Sequence, residues 1–244
     1  MNPIPGLFDT PILAPPPPPP GRRRRGDGLR PPPPPSPRRG GGGGSRPTLQ
    51  VQCAQINMHR SHDSKKAIDS DPSRIQFIQE LPLNQRKFHA LSRDGYVVYA
   101  QDPHGGEGPR AALRISKSLI SSAVTDHMCR DRAVAKVTVD DEEMMVVSQY
   151  CHHEDQAVSP GLEEVTRHCR DNRIPLIIGA DSNAWSPLWG PLQNPRGKDF
   201  EEFINEFDLR VLNDSNSPPT FISTADGGKT RTWIDITLIN SFAD

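Results

Sequence analysis

The sequence predicts an α/β body with layered strands and helices, behind an N-terminal tail that forms no core. Three observations carry this. Residues 1–47 hold 16 of the chain's 27 prolines and 9 of its 19 glycines, with eight arginines against two aspartates. From residue 48 onward, short apolar runs alternate with polar punctuation, the pattern of numerous strands. Between those runs lie segments with helical start signals or helical apolar spacing, so helices are interleaved with the strands and cover a sheet.

The tail, residues 1–47, fails as a core for simple reasons. The proline runs at 15–20 and 31–35 supply no backbone donors and favour polyproline II, the arginines at 22–25 repel one another, and the glycines at 40–44 leave the backbone loose. Its arginines suit a nuclear-import or phosphate patch, and its proline runs suit an SH3 or WW partner. A third reading, slightly preferred, is translated GC-rich sequence with no role. The tail's eight arginines and two aspartates give it a charge of +6, so residues 48–244 carry −1 − 6 = −7. An acidic surface does not by itself argue for wrapping nucleic acid, but a cation held in a site supplies positive charge locally.

No stretch reaches the roughly 18 apolar residues of a membrane helix, and the first thirty residues lack the apolar segment of a secretory signal. The expectation is an intracellular protein, neither secreted nor membrane-bound. Cys53, Cys129, Cys151 and Cys169 are widely spaced without a C-x-x-C pair, so they read as reduced thiols.

Along the body, domain 48–244, strands are predicted at 49–56 and 75–79 with a poor helix between them that breaks near Pro72, then at 96–100, 111–115, 133–139 and 144–151. Ser159-Pro160 followed by Glu163 and Glu164 starts a helix that runs to Asn172. Leu176, Ile177 and Ile178 form a continuous apolar run, the mark of a strand buried on both faces. Phe200, Phe203, Ile204 and Phe207 recur at helical spacing over 198–208, and strands at 210–212, 220–222 and 233–238 complete the chain.

The segment at 177–190 is where chemistry is written. A buried strand delivers Asp181 and Asn183 to a sheet end, where loops build sites. Two residues apart on extended chain, they face the same side, so the carboxylate can take a proton from water while the amide donates to a phosphoryl oxygen. On those three letters alone an Asx turn is the more common outcome.

The wider wording decides between these. G-A-D-S-N-A-x-S-P-L-W-G at 179–190, N-P-R-G at 194–197, F-E-E-F-I at 200–204, L-x-V-L-N at 209–213, P-T-F at 219–221 and W-I-D-I-T-L at 233–238 resemble the endonucleases of non-LTR retrotransposons. Q-I-N-M-H at 55–59, F-I-Q-E at 77–80, R-A-A-L at 110–113 and V-V-S-Q-Y at 146–150 extend the resemblance upstream. It implies the endonuclease/exonuclease/phosphatase fold, in which two packed mixed β-sheets are flanked by helices in four layers. It further implies a nuclease that nicks DNA to prime reverse transcription, works with Mg²⁺ or alternatively Mn²⁺, and resides in the nucleus.

Residue by residue, the resemblance implies Glu80 as the principal metal ligand, assisted by Asn57. It implies Asp181 as the group that orients or deprotonates the attacking water, Asn183 as its phosphate-gripping partner, Tyr150 as a contact to the scissile phosphate, and Asp235 as the orienter of a catalytic histidine. Two departures stand out: Leu81 replaces the usual proline after the glutamate, and Trp185 stands where histidine is frequent. The histidine itself belongs to a terminal Ser-Asp-His that does not follow Asp235 here, so the expectation is a domain incomplete at its C-terminus and an impaired enzyme. Thr125-Asp126-His127 imitates that signature but precedes Asp181 and reads as a surface turn. Competing expectations are a catalytically dead interaction module, a decayed element copy, and, within the superfamily, an abasic-site nuclease or phosphatase.

Overall fold

The structure, a computed structural model, describes residues 50–59, 64–81, 91, 94–101, 108–214, 217–222 and 227–243; the tail, with its expected SH3 or WW motifs and arginine patch, lies outside the described residues. Among the described residues, twelve strands and three helices follow one another as β1 (Cys53–Asn57), α1 (Ser64–Ser70), β2 (Ile75–Gln79), β3 (Tyr96–Tyr99), β4 (Ala111–Ser116), β5 (Ile120–Ala123), β6 (Arg132–Val139) and β7 (Glu142–Tyr150). Then come α2 (Pro160–Asn172), β8 (Leu176–Asp181), α3 (Pro195–Glu206), β9 (Leu209–Val211), β10 (Phe221–Ile222), β11 (Arg231–Thr232) and β12 (Asp235–Asn240).

Two mixed sheets stack. One has the order β1-β2-β4-β3, the other β5-β6-β7-β8-β12-β9, and β10 and β11 form a separate ribbon. Alternation along each strand explains the stacking. In β2, Ile75 and Phe77 join Leu113, Ile115, Ala133, Ala135 and Val146 in a core between the sheets, while Ile78 faces outward to Ile68 of α1. The opposite face of the larger sheet is covered by Leu162, Val165 and Cys169 of α2 and by Phe200, Phe203 and Ile204 of α3. The layers are therefore helix, sheet, sheet, helices, as the resemblance implied.

Local chemistry sets the helix starts. Ser159 caps α2 by accepting from the Leu162 N–H, with Pro160 in the first turn. Asn194 caps α3 by accepting from the Gly197 N–H, so α3 begins at Pro195, three residues before the predicted 198. Cap chemistry, invisible to apolar periodicity, makes that difference. The last strand is displaced from the predicted 233–238 because Trp233 and Ile234 are engaged by Ser217, Thr220 and Ser182 before β12 begins. Strands β5 and β11 carry too few apolar residues to be predicted, and Thr125–His127 forms a single 3₁₀ turn, consistent with the expected surface turn. All four cysteines are free thiols. No helix among the described residues is long and apolar enough to cross a membrane.

Candidate active site

Strand direction brings the candidate residues to one end of the sandwich. β1 and β2 run parallel and finish at Asn57 and Gln79, immediately before Glu80. β7 and β8 also run parallel, with Tyr150 opposite Asp181, and antiparallel β12 begins at Asp235, opposite the same Asp181. The Asn57 side-chain amide donates to Asp181 Oδ2 at 2.7 Å, tying the smaller sheet to the larger across the mouth of the site. Glu80 lies close enough to Asp181 and Asp235 for its charge to act on both.

The backbone is bent sharply to achieve this. His59, Glu80 and Asn183 adopt φ of 51°, 49° and 47°. Left-handed backbone costs a residue with a side chain about 1 kcal/mol, and such positions gather where surrounding structure over-determines a site. Here the bends turn the chain away at the ends of β1, β2 and β8 while leaving the strand-end side chains facing inward.

Electrostatics in the site is unfavourable to its own charges. Asp181 is fully buried, and burial, followed by the charges of Asp235 and Glu80, holds its carboxyl well above the ordinary range. Burial, opposed by hydrogen bonding from Thr220, pushes Asp235 up to about 6. Oδ1 of each aspartate is buried without a hydrogen-bond partner. Two carboxylates whose idle oxygens are buried are what a bound cation would relieve. Among the described residues no three His, Cys, Asp or Glu side chains close into a ready ligand cage. The idle oxygens of Asp181 and Asp235 are hard donors of the kind that Mg²⁺ takes.

These shifts have a measurable sign. A carboxyl whose folded-state pKa is raised stabilises the fold fully below its ordinary pKa of 3.8, and that contribution is lost as pH rises through about 6. Cation-free protein is expected to lose on the order of 2 kcal/mol of stability between pH 4 and pH 7 from Asp235 alone. Saturating Mg²⁺ is expected to flatten that slope. Chemical denaturation across pH with chelator and with Mg²⁺ checks this, and superimposable profiles would contradict it.

The remaining candidates are held by contacts within the protein. Asn183 donates its side-chain amide to the Cys151 carbonyl at 3.1 Å, and its backbone N–H supports the Asp181 carboxylate. Tyr150 is buried, with the Arg110 guanidinium 4.9 Å from its ring centroid. Burial opposes the charge on Arg110, but its bidentate pair with Asp131 and the nearby Tyr150 and Asp155 raise its pKa overall.

Four participants escape a motif reading. His59 places Nδ1 3.2 Å from Glu80 Oε2 and its ring edge-on to Phe221, with centroids 5.1 Å apart. Gln55 accepts from the Thr237 hydroxyl at 3.3 Å and sits beside Asp235, as does Thr220. Arg196 of α3 donates to the Asp155 carbonyl at 2.5 Å and places its charge near Asp181. Gln55 had a usable signal, since it lies two residues before Asn57 on the same face of β1. The other three had none beyond membership of a matching block.

The layering, the strand order and the carboxylate-lined sheet end define an endonuclease/exonuclease/phosphatase fold. Over residues 144–242 the sequence matches the family described as endonuclease-reverse transcriptase, and this bears out the likeness to non-LTR retrotransposon endonucleases. Among solved structures, the chain is similar to the endonuclease domain of TRAS1, a telomere-specific non-LTR retrotransposon. The TM-score is 0.65 at 21% identity, covering 79% of this chain and 86% of that one. It is also similar to an endonuclease/exonuclease/phosphatase family protein from Bacteroides thetaiotaomicron, with TM-score 0.53, 12% identity and coverage of 80% and 85%. The human Nocturnin catalytic domain, with bound sulfate, gives TM-score 0.51, 15% identity and coverage of 78% and 82%. At these identities the structures speak to fold. No curated protein sequence matches the chain.

Proposed function

We propose that the body is a divalent-cation-dependent DNA endonuclease domain of a non-LTR retrotransposon, nicking one strand so that the freed 3′ hydroxyl primes reverse transcription. The observation that carries this reading is the meeting of Asn57, Glu80, Asp181 and Asp235 at one sheet end, with idle carboxylate oxygens on both aspartates. Glu80, with Asn57 beside it, would hold Mg²⁺ or Mn²⁺, which when bound supplies positive charge to the phosphate and to the departing 3′ oxygen. Asp181 orients the attacking water and takes its proton. Asn57 fixes the Asp181 carboxylate, and Tyr150 and Asn183 line the approach of the phosphate. Asp235 orients an imidazole. Among the described residues the imidazole beside it is that of His59, whose Nδ1 lies on Glu80, so the proposed activity is weak. A nuclear location follows from a chromosomal substrate and is tested by imaging a tagged chain.

Incubation of purified protein with supercoiled plasmid and Mg²⁺ tests the reading. Nicking that stops on chelation and falls about 10² to 10³-fold in Glu80→Ala is expected, with termini that a polymerase extends. Nicking that survives Glu80→Ala but not chelation would place the ion elsewhere. The specific observation for the interaction-module alternative would be capture of SH3 domains that disappears on deleting residues 1–47.

A further inference from the structure

Beside the candidate active site, on the β6 side of Tyr150, lies a second cavity of about 250 Å³, walled by Arg132, Gln149, Tyr150, Cys151 and the first turn of α2 at Gly161. Two guanidinium groups in the described structure are more than nine-tenths buried, and they differ in one respect. Arg114, 1% exposed, is paired with Asp69 at 3.1 Å. Arg132, 7% exposed, has no carboxylate within 4 Å among the described residues. It donates to neutral oxygens only: the His127 carbonyl at 2.7 Å, the Ser159 hydroxyl at 3.1 Å and, at the limit, the Gln149 side chain at 3.5 Å. The aspartates on the cavity wall do not answer it, since Asp131 is engaged by Arg110 and Asp155 is exposed at the rim.

A buried charge that lacks a counter-ion is costly unless something supplies one. The cavity wall also carries Asp131 and Asp155, and the first turn of α2 carries Glu163, but none of them pairs with Arg132. The guanidinium lies against the N-terminal turn of the 13-residue α2, so closely that a Cβ at Gly161 would stand 2.1 Å from Nη2. The guanidinium and the start of α2 meet in this cavity, which shares Tyr150 with the end of the sheets that carries the candidate site.

We propose that this cavity is a phosphate subsite, with Arg132 as its charged donor, occupied by a backbone phosphate of the strand whose neighbouring phosphodiester meets Asp181. This rests on the endonuclease reading for the identity of the ligand, and on Arg132 alone for its charge. Arginine suits the task because its planar fork binds phosphate oxygens in pairs. The subsite fixes where the strand lies relative to Tyr150, which is positioning and not chemistry.

Duplex binding by fluorescence anisotropy across a salt series, in an Asp181→Asn background that cannot cleave, tests the assignment. Arg132→Gln is expected to weaken binding about tenfold and to reduce the slope of log affinity against log salt by about 0.9, the value of one neutralised phosphate. Arg132→Lys is expected to regain the slope without the full affinity. Because Arg132 also ties the turn at His127 to α2, the unaltered guanidinium is tested independently by placing a single neutral methylphosphonate at successive positions flanking the nick. One position is expected to cost affinity with Arg132 present and to cost nothing in Arg132→Gln. Equal affinities and slopes, or methylphosphonates that act alike on both proteins, would overturn the subsite. Failure of every protein to bind DNA would instead remove the endonuclease reading. In that event the melting temperature in inorganic phosphate against chloride decides: a rise with Arg132 that is absent in Arg132→Gln keeps a small-phosphate site, and no difference removes it.

Discussion

Asp181→Asn is expected to reduce nicking about 10³-fold or more while raising the melting temperature of the cation-free protein. Both halves come from one environment. The side chain is fully buried beside two other carboxylates, and its Oδ1 has no partner, so its negative charge is held at a cost. Asparagine keeps the shape and can still accept from the Asn57 amide, which now stands 2.7 Å from Oδ2. It removes the desolvated charge, a gain of about 1 to 2 kcal/mol, and with it the group that takes the proton. Stability given up for a reactive site is a common exchange in enzymes. Thermal melts in chelator and nicking assays in Mg²⁺ read the two halves separately. A variant that melts lower would mean that the carboxylate is compensated by something other than a cation. A variant that still nicks would move the base elsewhere.

Gly197→Ala is expected to destabilise the fold by about 3 kcal/mol, the upper part of the range for overpacking. A Cβ at this position would lie 1.8 Å from the Trp185 carbonyl oxygen, a backbone atom with no rotamer in which to retreat. The crowding arises because Asn194 serves two masters: its side-chain oxygen accepts from the Gly197 N–H at 2.8 Å and from the Trp185 N–H at 3.0 Å. Its own N–H donates to the Trp185 carbonyl at 3.1 Å. The start of α3 is thereby clamped onto the loop that follows Asn183. Urea unfolding is expected to show a lowered midpoint with an unchanged slope. A midpoint within 1 kcal/mol of the parent would show that α3 can slide away from Trp185 without loss.

These residues show what was readable in the sequence and what was not. Glycine 197 belongs to an N-P-R-G block that marked the family, but the letters do not say that the glycine admits a carbonyl. Strand β2 was readable to the residue, because Ile75, Phe77 and Ile78 are apolar on both faces and Arg74 and Glu80 bound them. Helix α2 was readable from its Ser-Pro start. The short strands β5 and β11 were not, since two or four mostly polar residues carry no period. The spacing of Asp181 and Asn183 was read as extended chain, but β8 ends at Asp181 and Asn183 bends with φ of 47°, so all six candidates were legible only through resemblance. His59 and Arg196 act through left-handed backbone at 59 and a helix start at 195, features that depend on three-dimensional placement.

The order of the larger sheet sets a constraint on synthesis. β12 lies between β8 and β9, so a strand made after both of its neighbours is inserted between them. Until then β8 presents an open edge, with Ile178 and Ala180 uncovered on the side where Leu238 and Ile236 will pair. A nascent chain paused before residue 235 therefore exposes a hydrophobic, pairing-competent border, a natural client for a chaperone and a ready seed for aggregation. Because Asp235 arrives on that same strand, the candidate site gains its partner to Asp181 only once β12 has paired with β8.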